Sequence, residues 1–66
     1  MTVKEFRQLV GGVEYYNVSK FVSPEYAEEI GTFWAYEMER FDDWTLEYFQ
    51  PEEDCSIYME VEEENG

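Results

Sequence analysis

Histidine is missing from the sequence, and Cys55 is the only cysteine among its 66 residues. A single cysteine cannot form a disulfide or a four-thiolate zinc site within one chain, which fits a reducing, intracellular setting. No histidine can activate Cys55, so a strand or core position is favoured for it over a nucleophilic role. Because histidine is the commonest general base and metal ligand, we expect a protein that is not an enzyme and holds no metal or cofactor.

Basic residues are also scarce, since 4 Lys and Arg stand against 17 Asp and Glu and give a formal net charge of -13 at pH 7. Affinity for phosphate needs clustered Lys and Arg, so direct nucleic-acid binding and attachment to an anionic membrane are both disfavoured. No apolar run approaches the roughly 20 residues of a membrane span, and charges interrupt residues 1 to 7, where a signal peptide would begin. The expected location is cytoplasmic.

Aromatic residues are abundant, with 2 Trp, 6 Tyr and 5 Phe. A disordered acidic tail would lack them. In a chain of this size one core supplies only about 3 to 5 kcal/mol of stability, and large aromatic side chains increase the area that it buries. We therefore expect a single compact domain over residues 1 to 62, followed by a frayed acidic tail over residues 63 to 66.

The local patterns predict an α+β fold. Thr2 and Glu5 form a capping box that opens a short N-terminal helix, and Gly11-Gly12 ends it. Residues 13 to 22 are rich in β-branched and aromatic side chains, which favours a strand. The complete expectation is a short N-terminal helix, a small antiparallel sheet of three to four strands ending in a hairpin, and one further helix after Ser23.

Two lengths are open for that further helix, which Ser23 would cap and Pro24 would begin. A long helix would continue to Phe41 along an apolar stripe with helical spacing. A short helix would end at Gly31, and residues 32 to 38 would then form a strand. The β-favouring residues after the glycine give the short helix a slight preference.

A closing hairpin is predicted from two further strands, residues 45 to 50 and residues 55 to 62, joined around Pro51. Side chains of the second strand alternate, with Cys55, Ile57, Met59 and Val61 on one face and Ser56, Tyr58, Glu60 and Glu62 on the other. Alternate residues on a strand are about 6.6 Å apart, so Glu60, Glu62 and Glu64 would form a row of carboxylates.

Charge is distributed unevenly, because residues 41 to 66 contain no lysine or arginine. A fixed row of carboxylates can substitute for a phosphate backbone in a basic groove, and aromatic anchors among charges are typical of protein interfaces. The candidate partner-binding residues are Asp42, Asp43, Trp44, Glu47, Tyr48, Glu52, Glu53, Asp54, Tyr58, Glu60 and Glu62.

A simpler interpretation is that the aromatic residues form the core and the acids keep the domain soluble. Solubility needs a net charge of magnitude about 2 to 8, whereas a larger excess destabilises the fold by self-repulsion. The size of the excess therefore favours a binding role. The alternative is a small self-associating structural or assembly module in which the charge serves solubility alone.

In size, charge and aromatic content the chain resembles the small acidic inhibitors of phages and mobile elements, the anti-CRISPR and anti-restriction proteins that act as nucleic-acid mimics. Its opening Met-Thr-Val-Lys-Glu-Phe and its closing hairpin also resemble small phage and gut-bacterial α+β proteins. The resemblance implies inhibition of a nucleic-acid-handling complex in the bacterial cytoplasm by occupation of its basic surface. The partner would be a basic nucleic-acid-binding protein or effector complex, and a homodimeric mimic would also fit.

Overall fold

The computed structural model describes residues 1–63, in which two short helices and four strands follow one another. The elements are α1 (Val3–Leu9), β1 (Tyr15–Ser23), β2 (Tyr26–Trp34), a 3-10 helix (Ala35–Phe41), β3 (Thr45–Pro51) and β4 (Ser56–Glu62). The predicted α+β class, the N-terminal helix and the closing hairpin are confirmed. Residues 64 to 66, and with them Glu64 and most of the predicted frayed tail, lie outside the described residues.

The four strands form one mixed sheet with the order β2-β1-β4-β3. The pairs β1–β2 and β3–β4 are antiparallel, but the two central strands β1 and β4 are parallel. The 3-10 helix carries the chain from one edge strand, β2, to the other edge strand, β3. This crossover makes the central pair parallel, so the sheet is not the wholly antiparallel one expected from the sequence.

Helix α1 begins with the predicted capping box. The Thr2 backbone N–H donates to Glu5 Oε1 at 2.8 Å, and the Glu5 N–H donates to Thr2 Oγ1 at 3.1 Å. The backbone hydrogen bond from Thr2 lowers the pKa of Glu5 below its ordinary value. Val3 and Phe6 are buried on the inner side of the helix. After the helix Gly12 has φ +75, a left-handed conformation that favours glycine.

The segment after Ser23 forms strand β2, so both predicted lengths of a helix starting there are wrong. Pro24 lies in the turn of the β1–β2 hairpin, because Ser23 pairs directly with Tyr26. A Ser-Pro sequence suits a turn as well as a helix start, and pairing with β1 decides between them. The second helix begins instead at Ala35, so the segment at 32 to 38 is strand up to Trp34 and helix beyond it.

Gly31 lies at an irregularity of the β1–β2 pair rather than at a helix end. The register shifts between Val18, which pairs with Gly31, and Ser19, which pairs with Glu29, so Ile30 is an extra residue in β2. Gly31 has φ +151, which side-chain-bearing residues rarely adopt. Glycine at a β-bulge provides this conformation without steric cost.

Both helices cover the same side of the sheet and enclose the core there. The buried apolar side chains come from α1, the 3-10 helix and the two central strands: Val3, Phe6, Tyr16, Val18, Met38, Phe41, Ile57, Met59 and Val61. Within residues 1–63, neither helix is long and apolar enough to cross a membrane. Among the residues that the structure describes, no helix packs on the opposite side of the sheet.

Candidate partner-binding face

The uncovered side of the sheet is here named the open face, and strand alternation and register identify the residues on it. Residues that pair across neighbouring strands share a face, and successive residues point to opposite faces. Because Tyr16 and Val18 point into the core, their neighbours Tyr15, Asn17 and Ser19 point to the open face. The register then assigns the open face as Tyr15, Asn17, Ser19, Phe21, Ala27, Glu29, Thr32, Trp34, Thr45, Tyr48, Gln50, Ser56, Tyr58, Glu60 and Glu62.

Two aromatic pairs lie on the open face, one over each hairpin. Tyr15 and Trp34 have ring centroids 5.9 Å apart and an interplanar angle of 75°, and Tyr48 and Tyr58 have values of 6.3 Å and 63°. Trp34 is 51% exposed and Tyr48 is 48% exposed. Large aromatic surface therefore remains accessible on this side, separate from the aromatic residues of the core.

A chain of hydrogen bonds joins the two hairpins between these aromatic pairs. Thr32 Oγ1 donates to Asn17 Oδ1 at 2.6 Å, and Asn17 Nδ2 donates to Glu52 Oε1 at 2.6 Å. Ser56 Oγ donates to the same carboxylate oxygen at 3.5 Å. These bonds fix Glu52 over a cleft of about 300 Å³, which Glu29 and Tyr58 also line. The centre of the open face is thus polar and negatively charged.

The hydroxyl of Tyr58 donates a hydrogen bond of 2.8 Å to Glu60 Oε2. Burial raises the pKa of Tyr58 above its ordinary value, and the hydrogen bond and negative charge of Glu60 raise it further, while Ser19 opposes them. A phenolate at this position would face a carboxylate at close range. The hydroxyl is therefore held in its neutral form, in which it donates to Glu60.

Replacing Glu60 with glutamine should lower the pKa of Tyr58 while leaving it above the ordinary value of about 10, because burial remains. Since the folded-state pKa is raised, Tyr58 contributes stability below the unfolded pKa, and this contribution is lost as the pH rises through the folded pKa. The aromatic ¹³C shifts of Tyr58, followed against pH, measure the effect. Glu62→Gln, on the same strand and face, is the control. A Tyr58 pKa that is unchanged or higher in Glu60→Gln would contradict the assignment.

All four basic residues lie away from the open face. Arg7 on α1 forms an ion pair with Asp42 and donates to the Ala35 carbonyl at 3.2 Å. The Arg40 guanidinium lies 5.1 Å from the ring centroid of Phe33, which pairs with core residue Tyr16. The other two are Lys4, on α1, and Lys20, which pairs with buried Val61. In residues 1–63, no lysine or arginine side chain neutralises the open face.

The structure brings several of the predicted partner-binding residues together. Tyr48, Tyr58, Glu60 and Glu62 lie on the open face, and Glu52 reaches over it from the end of β3. Glu60 and Glu62 alternate along β4 as the sequence pattern predicts.

The other predicted partner-binding residues lie elsewhere. Asp42 is engaged by Arg7 on the helix-covered side, and Trp44 packs edge-on against Phe41 with centroids 5.1 Å apart. The remaining four are exposed in turns or at the β3 irregularity: Asp43, Glu47, Glu53 and Asp54. The predicted partner-binding residues are therefore not all on one side of the sheet.

Open-face residues from the first hairpin were missed in the sequence, above all Tyr15, Asn17, Glu29 and Trp34. The alternation of Tyr15, Asn17 and Ser19 was a signal, but the parallel contact of β1 with β4 joins segments about forty residues apart. Cys55 was also placed wrongly. It is exposed, has φ 56 and precedes β4, so it belongs to the turn rather than to the core.

Comparisons of the chain with protein-family models, curated proteins and solved structures found no match. Among residues 1–63, no group of three or more Cys, Asp or Glu side chains is arranged to hold a metal ion. The open face presents carboxylates and exposed aromatic rings, two kinds of group that interact favourably with cations.

Proposed function

We propose that the protein is a non-enzymatic binding protein that inhibits a nucleic-acid-handling complex by occupying its basic surface. The observation that carries the proposal is the separation of charge. Glu29, Glu52, Glu60 and Glu62 lie on or over the open face, while Lys4, Arg7, Lys20 and Arg40 lie away from it. A basic groove would thus meet carboxylates without meeting a cation.

The aromatic pairs support a protein partner rather than diffuse attraction of counterions. Exposed Trp and Tyr side chains supply most of the binding energy in many interfaces, and surrounding charges steer the partner and increase the association rate. Trp34 and Tyr48 lie on opposite sides of the central acidic cleft. A partner covering both would bury the cleft between them.

Capture on the immobilised protein from a nuclease-treated bacterial lysate tests the proposal. Nucleic-acid-binding proteins should be retained at 50 mM salt and eluted before 500 mM, because screening weakens exposed charge contacts. The eluted proteins should bind a fluorescent duplex or RNA, and added protein should displace it at stoichiometric concentration. Retention that is unaffected by salt, or binding without displacement of the nucleic acid, would contradict the proposal.

Self-association through the open face is the second candidate, and the exposure of Trp34 and Tyr48 favours it. Two copies would bring their carboxylates together, so such a dimer should tighten as salt rises. Sedimentation equilibrium between 50 and 500 mM salt tests self-association. A dimer strengthened by salt supports it, and a monomer at every salt concentration would remove it.

A further inference from the structure

A second cleft, of about 250 Å³, lies where β2 leads into the 3-10 helix. Tyr15, Thr32, Trp34 and Glu37 line it. The rings of Tyr15 and Trp34 stand at 75° to each other, so they form two walls of a corner. Trp34 is 51% exposed, so the corner is accessible from the open face.

Glu37 closes the corner with a carboxylate whose position is fixed. The Trp34 backbone N–H donates to Glu37 Oε1 at 2.9 Å. Within the described part of the chain, Oε2 of Glu37 accepts no hydrogen bond, so it is available to a ligand. A group that fits this site must be cationic, must donate hydrogen bonds and must stack against an aromatic ring.

We infer that this cleft receives one arginine side chain of the partner. A guanidinium group is planar, stacks on aromatic faces and donates to carboxylates in a fixed geometry, whereas an ammonium group is a compact and strongly hydrated charge. The assignment rests on the proposed function, because a basic surface built for nucleic acid presents arginine side chains. A nucleotide is disfavoured, because its phosphate would be repelled by Glu37.

The protein's own arginines each make one of the contacts expected of the bound arginine, namely stacking on an aromatic ring and pairing with a carboxylate. Arg40 lies over the ring of Phe33 at 5.1 Å, and Arg7 pairs with the carboxylate of Asp42. Both are engaged on the helix-covered side and leave the cleft to an external group. The cleft also shares Thr32 with the central acidic cleft, so an arginine bound there would continue the contact along the open face.

Titration with N-acetyl-arginine amide, followed by NMR of the tryptophan indole N–H signals, tests the inference without any macromolecular partner. Trp34→Phe identifies the signal of Trp34. We expect that signal to shift saturably, with a millimolar dissociation constant. The neutral isostere, N-acetyl-citrulline amide, should bind at least fivefold more weakly, and the lysine analogue should also bind more weakly.

Two variants on the same helix complete the test. Glu37→Gln keeps an oxygen for the Trp34 N–H but removes the charge, so binding of the arginine probe should weaken at least threefold. Glu39→Gln removes one exposed charge nearby and should have little effect. Equal responses to arginine and citrulline, or equal effects of the two variants, would overturn the inference.

The outcome is independent of the capture experiment. If the arginine probe binds at Trp34 but capture fails, the cleft assignment is supported and the proposed function is removed. If capture succeeds but the probe does not distinguish arginine from citrulline, only the cleft assignment is removed.

Discussion

The double variant Glu60→Lys/Glu62→Lys is expected to bind a captured nucleic-acid-binding partner about 100-fold more weakly at low salt than the unchanged protein. Both carboxylates lie on β4 within the open face, and the substitutions place cations opposite the partner's cations. Like charges brought together at an interface cost several kcal/mol, and each 1.4 kcal/mol changes affinity tenfold. Fluorescence anisotropy with labelled protein measures the affinity.

The matched control is Glu25→Lys/Glu39→Lys, which changes the net charge by the same amount. Glu25 lies in the β1–β2 turn and Glu39 on the 3-10 helix; both are exposed, and neither is among the strand residues that form the open face. Net charge alone influences association at long range, so a loss of less than about tenfold is expected. Equal losses in the two variants would show that binding depends on total charge and would remove the assigned role of the open face.

Replacing Met59 with alanine is expected to remove most of the stability of the protein at 25 °C. Met59 is fully buried at the centre of β4, where it pairs with Val18 on one side and Phe49 on the other. Substitution of a buried methionine by alanine costs about 2 to 5 kcal/mol, and a domain of this size has about 3 to 5 kcal/mol of stability in total. Urea unfolding followed by circular dichroism measures the loss.

Two substitutions control this prediction. Met59→Leu conserves volume and should cost less than about 1.5 kcal/mol. Tyr36→Ala removes a larger side chain that is 78% exposed and should change stability by less than about 0.5 kcal/mol. A cooperative unfolding transition of Met59→Ala at the same urea concentration as the unchanged protein would show that the helix-covered side of the sheet is not the core.

Local sequence signals predicted the elements whose local preference agrees with the tertiary contacts that they make. The capping box of Thr2 and Glu5, the strand that became β1 and the alternation along β4 all depend on residues close together in the chain. The further helix exists, but its predicted start at Ser23 was wrong because Ser-Pro also begins turns, and because Gly31 fits a β-bulge as well as a helix end. Pairing with β1, a contact made in the tertiary structure, decided both points.

Only part of the open face could be predicted, because the rest depends on strand pairing in the tertiary structure. The acidic row of Glu60 and Glu62 could be found from alternation within one strand, but its neighbours Asn17 and Ser19 come from β1 through the parallel pairing. The engagement of Asp42 by Arg7 joins α1 to the end of the 3-10 helix and had no signal in the local sequence. Charge counts along the chain therefore described how many acids there are, but not which of them share a surface.

Cross-saturation NMR of the protein bound to a captured partner tests the central claim most directly, because it maps the contact surface residue by residue. We expect the strongest signal loss on the open face, at Asn17, Thr32, Trp34 and Tyr58, with little effect on α1. Strongest loss on α1 and the 3-10 helix, with the open face unaffected, would contradict the assignment of the binding surface.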